Sequence, residues 1–132
     1  MKRHYKVTWE LEETTVHSIN DLEGLLDRLH RESRREQARL VVVELSDTGD
    51  SLAIGLGGDE SVLNYVNSSK DPPYFTSVSD EKHSDQLFTF RFMGDLSEFP
   101  SRNMIPLDAA RAAMRSFCLT GQLPSTVTWE ED

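Results

Sequence analysis

The sequence has 132 residues and a mass of 15.0 kDa, the size of one globular domain, so we predict a single domain over residues 1–132. Its composition, 37% hydrophobic and 28% charged, excludes a disordered chain, and no apolar run approaches the ~20 residues that a membrane-spanning helix requires. The net charge of −9 disfavours direct binding to nucleic acid or to an anionic membrane, because both repel an acidic surface.

The beginning of the chain predicts a hairpin followed by a helix. Residues 5–11 alternate apolar and polar side chains, which is typical of a half-buried strand, and Glu12–Glu13 is the predicted turn into a second strand at residues 14–18. Asn20 is a suitable N-cap, and leucines spaced i, i+3, i+4 and i+7 predict an amphipathic helix over residues 21–34.

The middle of the chain predicts mainly strands. A β-branched, apolar segment at residues 39–45 and a second arm at residues 51–56 form a predicted hairpin. Residues 61–66 fit either a helical turn or a strand, and residues 74–78 fit a strand. Residues 79–85 are predicted to form an exposed loop, because every side chain in that segment is polar.

The last third predicts a strand, a second helix and a short final strand. Residues 86–93 place three phenylalanines on one strand face, and the following segment through Phe99–Pro100 is predicted to be irregular. Pro106 suits the first turn of a helix that Gly121 ends, and residues 126–129 form the last strand. The whole pattern predicts an α+β fold, a mainly antiparallel sheet of about six to seven strands with two amphipathic helices packed on it.

No motif for catalysis or for holding a metal or a cofactor stands out. The four histidines lack metal-ligand spacing, and the single cysteine, Cys118, excludes a disulfide framework and a cysteine-based zinc site. The glycine-rich segment at residues 54–58 lacks the Lys-Ser/Thr of a phosphate loop, so we expect its glycines to form a bulge or a turn. We therefore expect no catalytic residue, no metal and no cofactor.

The distribution of charge points instead to a protein partner. Residues 1–40 hold eight basic and eight acidic side chains, so the whole excess of −9 lies in residues 41–132, although many cytoplasmic proteins are acidic for solubility alone. Aromatic anchors and steering carboxylates together suit a basic partner. The alternative is that Tyr65, Tyr74 and Phe99 belong to the core or its rim and that the carboxylates are only solvated.

An ordered set of motifs resembles the family called immunity protein one. The motifs lie at residues 51–66, 71–74, 97–100, 103–107, 109–110, 117, 120–124 and 127–129, and the resemblance extends from about Val7 to Trp129. The resemblance implies a small α+β cytoplasmic antidote protein of a bacterial polymorphic toxin system. It also implies binding to the C-terminal domain of a cognate toxin, often a nucleic-acid deaminase, and no catalytic residue of its own.

The resemblance and the charge together give the candidate partner-binding residues. Specificity in immunity proteins generally resides in variable loops, which adds the predicted loop at residues 79–85 to the acidic and aromatic positions. The candidates are Asp59, Glu60, Tyr65, Asp71, Tyr74, Asp80, Glu81, Asp85, Asp95 and Glu98. The expected partner is a basic toxin domain, with no direct contact to nucleic acid or membrane, and the expected state is a monomer or a weak homodimer.

Two alternatives to an immunity function stay open at the level of sequence. One is a non-catalytic regulatory or interaction module whose partner is not a toxin. The other is a small enzyme, which would require a pocket that collects two or more of His17, Glu44, Glu60 and Glu98.

Overall fold

The computed structural model describes residues 3–79 and 84–132, which contain eleven strands and two α-helices. The strands are β1 (Tyr5–Trp9), β2 (Glu12–Val16), β3 (Arg39–Leu45), β4 (Ser51–Leu56), β5 (Glu60–Ser61), β6 (Leu63–Val66), β7 (Phe75–Val78), β8 (Leu87–Phe92), β9 (Asp95–Pro100), β10 (Ile105–Pro106) and β11 (Thr128–Glu131). The helices are α1 (Ile19–Arg35) and α2 (Leu107–Thr120), and a 3-10 turn lies at Ser101–Asn103. The predicted α+β class is confirmed.

Most strands form one sheet with the order β11-β7-β6-β4-β3-β1-β2, in which every neighbour is antiparallel. The β8–β9 hairpin joins this sheet through one parallel bridge between Arg39 and Arg91. The predicted antiparallel character is confirmed, but the described part of the chain holds more strands than the six or seven expected. The prediction of an irregular segment through Phe99–Pro100 is wrong, because that segment is β9 and pairs along its length with β8.

Both helices cover the same face of the sheet. On α1, Leu22, Leu26 and Leu29 are at most 1% exposed, and on α2 the side chains of Met114 and Phe117 are fully buried. They share one hydrophobic cluster with inward-facing residues of β1, β3, β4 and β6. Burial of each such side chain stabilises the fold by about 1.5–3 kcal/mol, so this cluster is the main core.

A smaller cluster lies around the β8–β9 hairpin. It contains Leu40, Val62, Phe90 and Met104, with Phe88, Phe92 and Phe99 partly buried against it. The three phenylalanines of β8 therefore share one face, as their alternation predicts.

The first hairpin and α1 differ in detail from the predictions. The turn lies at Glu10 and Leu11, not at Glu12–Glu13, and Leu11 is 88% exposed although the alternation placed it on the buried face. The N-cap of α1 is Ser18, whose hydroxyl oxygen accepts a 3.0 Å hydrogen bond from the Asp21 amide, so the prediction of Asn20 is wrong. Gly121 ends α2 in the left-handed conformation, as predicted.

Within the described residues, neither α1 nor α2 combines the length and the apolar character of a helix that could cross a membrane.

Candidate functional site

Asp59 and Glu60 lie together where β4 ends and β5 begins. Both are exposed, and the Asp59 carboxylate pairs with the Arg34 guanidinium at 2.7 Å. The carbonyl oxygen of Asp59 accepts a 3.0 Å hydrogen bond from the first amide of α2, which ties this loop to the helix. Asp59 and Glu60 also line a cavity of about 280 Å³ with Phe88, Thr89 and Phe90 of β8, so they lie beside the β8–β9 hairpin.

Asp85, Asp95 and Glu98 lie in or next to the β8–β9 hairpin, with Asp85 and Asp95 at its opposite ends. Asp85 precedes β8, whereas Asp95 and Glu98 lie in β9 and not in a loop as predicted, with Glu98 directly opposite Thr89. All three are exposed, and none of them makes an ion pair within residues 3–79 and 84–132.

The outer face of the β8–β9 hairpin carries apolar as well as acidic side chains. The register places Leu87, Thr89 and Arg91 of β8 on the face that also holds Leu96 and Glu98 of β9. Leu87 is 55% and Leu96 is 61% exposed, which is unusual for leucine. With Asp59, Glu60 and Asp85, these side chains form what we call the hairpin surface; Asp95 pairs with Phe92, so it lies on the other face, at the turn end of the hairpin.

Asp71 and Tyr74 lie elsewhere, in the connection from β6 to β7. This connection follows Val66, which pairs with Ser51 at the start of β4, whereas Asp59 and Glu60 follow Leu56 at its end. Six strand residues separate the two ends by about 17 Å. The Tyr74 hydroxyl donates a 2.6 Å hydrogen bond to the Lys70 carbonyl, so this side chain stabilises its own loop.

Tyr65 belongs to the core. It lies in β6, packs against the main cluster and makes an edge-to-face contact with Phe117, with ring centroids 6.1 Å apart. Burial, and to a lesser extent the Asp50 carboxylate, raises the pKa of its hydroxyl. Asp80 and Glu81 lie outside the described residues.

Two titratable side chains and one cavity bear on the enzyme alternative. Burial raises the pKa of the Cys118 thiol to about 12, so the thiolate nucleophile is not available. His30 accepts a 3.0 Å hydrogen bond at Nδ1 from the Gly57 amide, and burial lowers its pKa. The cavity that Glu60 lines does not include His17, Glu44 or Glu98, and no group of three or more metal-ligating side chains occurs in the described part of the chain.

A second concave surface was not part of the prediction. It lies between β2 and α1, and we call it the β2–α1 groove; its lining is Trp9, Glu12, Glu13, Thr14, Val16, Asp21, Gly24, Leu25 and Arg28. Two signals in the sequence could have indicated it: adjacent glutamates on a terminal strand, and a glycine within an otherwise regular amphipathic helix.

Comparison with known protein families gives one decisive result. The family model described as immunity protein Imm1 matches residues 10–131. The chain belongs to the Imm1 family. No curated protein matches it. The Imm1 match runs from the turn after β1 to the end of β11, so it includes both helices, the β4–β5 loop and the β8–β9 hairpin.

Proposed function

We propose that this Imm1 protein binds the C-terminal domain of a cognate bacterial toxin and neutralises it without catalysing any reaction. The complex would mask the active surface of the toxin sterically and electrostatically. The toxin proposed is a basic, nucleic-acid-targeting domain such as a deaminase, and the place of action is the cytoplasm. The family match and the net charge of −9 support this proposal together.

The observation that carries the proposal is the hairpin surface. Glu60, Asp85 and Glu98 expose carboxylates that make no ion pair within the described residues, on the surface that also exposes Leu87. An enzyme that acts on nucleic acid needs a cationic groove, and an acidic surface with apolar anchors is complementary to such a groove. A stable complex would bury about 800 Å² on each partner.

The remaining candidate residues are less suited to direct contact with the toxin domain. Tyr65 is held in the core, and Asp71 and Tyr74 lie at the other end of β4 from Asp59 and Glu60. We propose that the protein acts as a monomer or a weak homodimer, in which case the whole hairpin surface is free to engage the toxin.

Co-expression tests the proposal directly. The toxin C-terminal domain encoded beside this protein is expressed alone and with it, and survival is scored; binding of the purified partners is measured in parallel. We expect survival only with the intact protein. If survival does not improve and the toxin domain does not bind, the proposal is wrong, and co-purification of another protein would favour a non-toxin regulatory module.

A matched pair of variants tests the location. Glu98→Lys reverses an exposed carboxylate on β9, and Glu131→Lys does the same on β11, which is also paired on one side only in the described sheet. We expect Glu98→Lys to weaken toxin binding by about tenfold or more, which corresponds to ~1.4 kcal/mol, and Glu131→Lys to have a much smaller effect. Equal effects of the two variants would contradict this location.

A further inference from the structure

The β2–α1 groove has a volume of roughly 570 Å³, the largest among the cavities described above. The register between β1 and β2 explains its shape. Pairing of Tyr5 with Val16 and of Trp9 with Glu12 places Glu12, Thr14 and Val16 on the helix side of the sheet. The helix α1 does not cover these side chains, since Glu12 and Thr14 are exposed. Trp9, only 8% exposed, lines the groove as an aromatic surface.

The groove is acidic. Glu12 and Asp21 contribute two carboxylates, and neither of them makes an ion pair within the described part of the chain; the side chain of Glu13, opposite Thr8, lies on the other face of the sheet. The one cation in the lining, Arg28, is already paired with Glu32 at 3.6 Å. A cationic side chain that enters the groove therefore meets unneutralised carboxylates, which bind guanidinium and ammonium groups through charge-assisted hydrogen bonds.

One wall of the groove is an open strand edge. In the described sheet, β2 pairs with β1 alone. A two-residue turn connects the two strands, and the alternation of hydrogen-bonded pairs away from it directs the backbone groups of Glu13 and Thr15 toward the open edge. An extended segment can add to such an edge as a further strand, and the glutamates select against an acidic one.

On the opposite side of the groove, α1 contributes Gly24, which has no side chain to fill the space. A Cβ added at Gly24 would meet no atom within 4 Å, so nothing in the folded chain requires glycine. Glycine inside a helix costs about 1 kcal/mol relative to alanine. Close approach of a partner's backbone to α1 would explain why glycine occupies this position despite its cost in helix stability.

We propose that the β2–α1 groove receives an extended, basic segment of the toxin domain, which pairs with β2 as an added strand. Lysine or arginine side chains of that segment reach Glu12 and Asp21. This inference rests on the proposed toxin binding and assigns to it a contact separate from the hairpin surface. A second copy of this chain is a poor occupant, because each copy carries a net charge of −9 and brings the same glutamates to the edge.

The test uses the cognate toxin domain as the probe and compares groove variants with matched controls. Gly24→Gln places a side chain in the groove, and Ala112→Gln introduces the same side chain at an exposed position of α2. Glu12→Lys with Asp21→Lys reverses two groove charges, and Glu131→Lys with Asp108→Lys reverses two exposed charges at matching places outside it, on the edge strand β11 and in the first turn of α2. Thermal unfolding of every variant is measured alongside binding, so that a folding defect is recognised.

We expect each groove variant to bind the toxin domain at least about tenfold more weakly than its control, with no loss of thermal stability for Gly24→Gln. In the wild-type complex, hydrogen exchange at the amides of Glu13 and Thr15 should slow at least about tenfold, which a purely electrostatic contact would not cause.

Three results would overturn the inference, and they separate it from the proposed function. Normal binding by both groove variants, while the wild type neutralises the toxin, removes the groove contact and leaves toxin binding in place. A concentration-dependent dimer that Glu12→Lys with Asp21→Lys abolishes assigns the groove to a second copy. A wild-type protein that neither binds nor neutralises the toxin overturns both proposals together.

Discussion

The ring of Phe90 occupies the space where a side chain on Gly55 would begin. An ideal Cβ at Gly55 would lie 2.6 Å from Cε1 and 2.8 Å from Cζ of Phe90, closer than real Cβ contacts come. Gly55 belongs to β4, at the centre of the sheet, and Phe90 belongs to β8. The glycine therefore allows the β8–β9 hairpin to pack directly on the sheet backbone.

Gly55→Ala should lower the free energy of unfolding by about 1–3 kcal/mol, because the methyl group forces the buried Phe90 ring out of its place. Urea unfolding measures this change. Gly58→Ala is the control in the same glycine-rich segment, since its Cβ would come no closer than 3.6 Å to another atom. Adding Phe90→Leu to Gly55→Ala should recover part of the loss; no loss in Gly55→Ala alone would contradict the close packing.

Stability should decrease as the pH falls below about 6.5, the ordinary pKa of histidine, because of His30. Burial and the Arg34 and Arg111 charges lower the pKa of His30, against opposing effects of Asp27 and Asp59, and its Nδ1 accepts a hydrogen bond from the Gly57 amide. The unfolded chain therefore takes up a proton at His30 before the folded protein does, so the contribution is complete above pH 6.5 and lost as the pH falls toward the folded pKa.

Unfolding measured from pH 7.5 to pH 5 checks the role of His30. His30→Asn keeps an acceptor near the position of Nδ1 without a titratable ring, so it should show a shallower loss of stability than the wild type. A slope for His30→Asn parallel to that of the wild type would contradict the assignment to His30.

Cys118 should not react with a thiol reagent in the folded protein at pH 8. The residue is fully buried, and burial, assisted by the Glu23 charge, raises its thiol pKa to about 12, so thiolate is scarce. Reaction with a chromogenic disulfide should become fast only when urea unfolds the chain. Rapid reaction in native buffer, with unfolding excluded by circular dichroism, would show that the helix α2 opens far more readily than its packing implies.

Association with the toxin domain should slow as salt is added, because steering between an acidic surface and a cationic groove is screened. Stopped-flow rates at about 20 mM and about 300 mM salt should differ by tenfold or more, within the roughly 10–10³-fold range of electrostatic steering. Glu98→Lys should reduce this salt dependence more than Glu131→Lys. Rates that do not change with salt would remove electrostatic steering from the mechanism.

Local patterns were sufficient to predict the central elements. The strands β3 and β4 begin and end where their apolar residues predict, and both helices follow from leucine spacing, Pro106 and Gly121. The strand β9 was not predicted because Pro100 and the polar residues Asp95, Ser97 and Glu98 are typical of a loop; its pairing with β8 makes the segment a strand. The local sequence pattern does not predict which strands pair with each other.

The candidate site depended on contacts between distant parts of the chain, so only part of it could be predicted. Asp59 and Glu98 lie 39 positions apart in the sequence, and the structure places both next to Thr89, which lines the cavity at Asp59 and pairs with Glu98. The sequence left Tyr65 open as an anchor or as a residue of the core or its rim, because the contact with Phe117 comes from the distant helix α2. The β2–α1 groove requires the register of one hairpin against a helix, which no single segment reveals.

The attachment of the β8–β9 hairpin has an evolutionary consequence. Its inner phenylalanines hold it to the body, while Leu87 and Leu96 point away from both clusters and leave much of their surface in water. Substitutions at such positions cost little folding energy, typically within about 0.5 kcal/mol. The residues of this outer face can therefore change rapidly in evolution while the core beneath them stays intact. Such tolerance suits the proposed function if the toxin partner itself changes over generations.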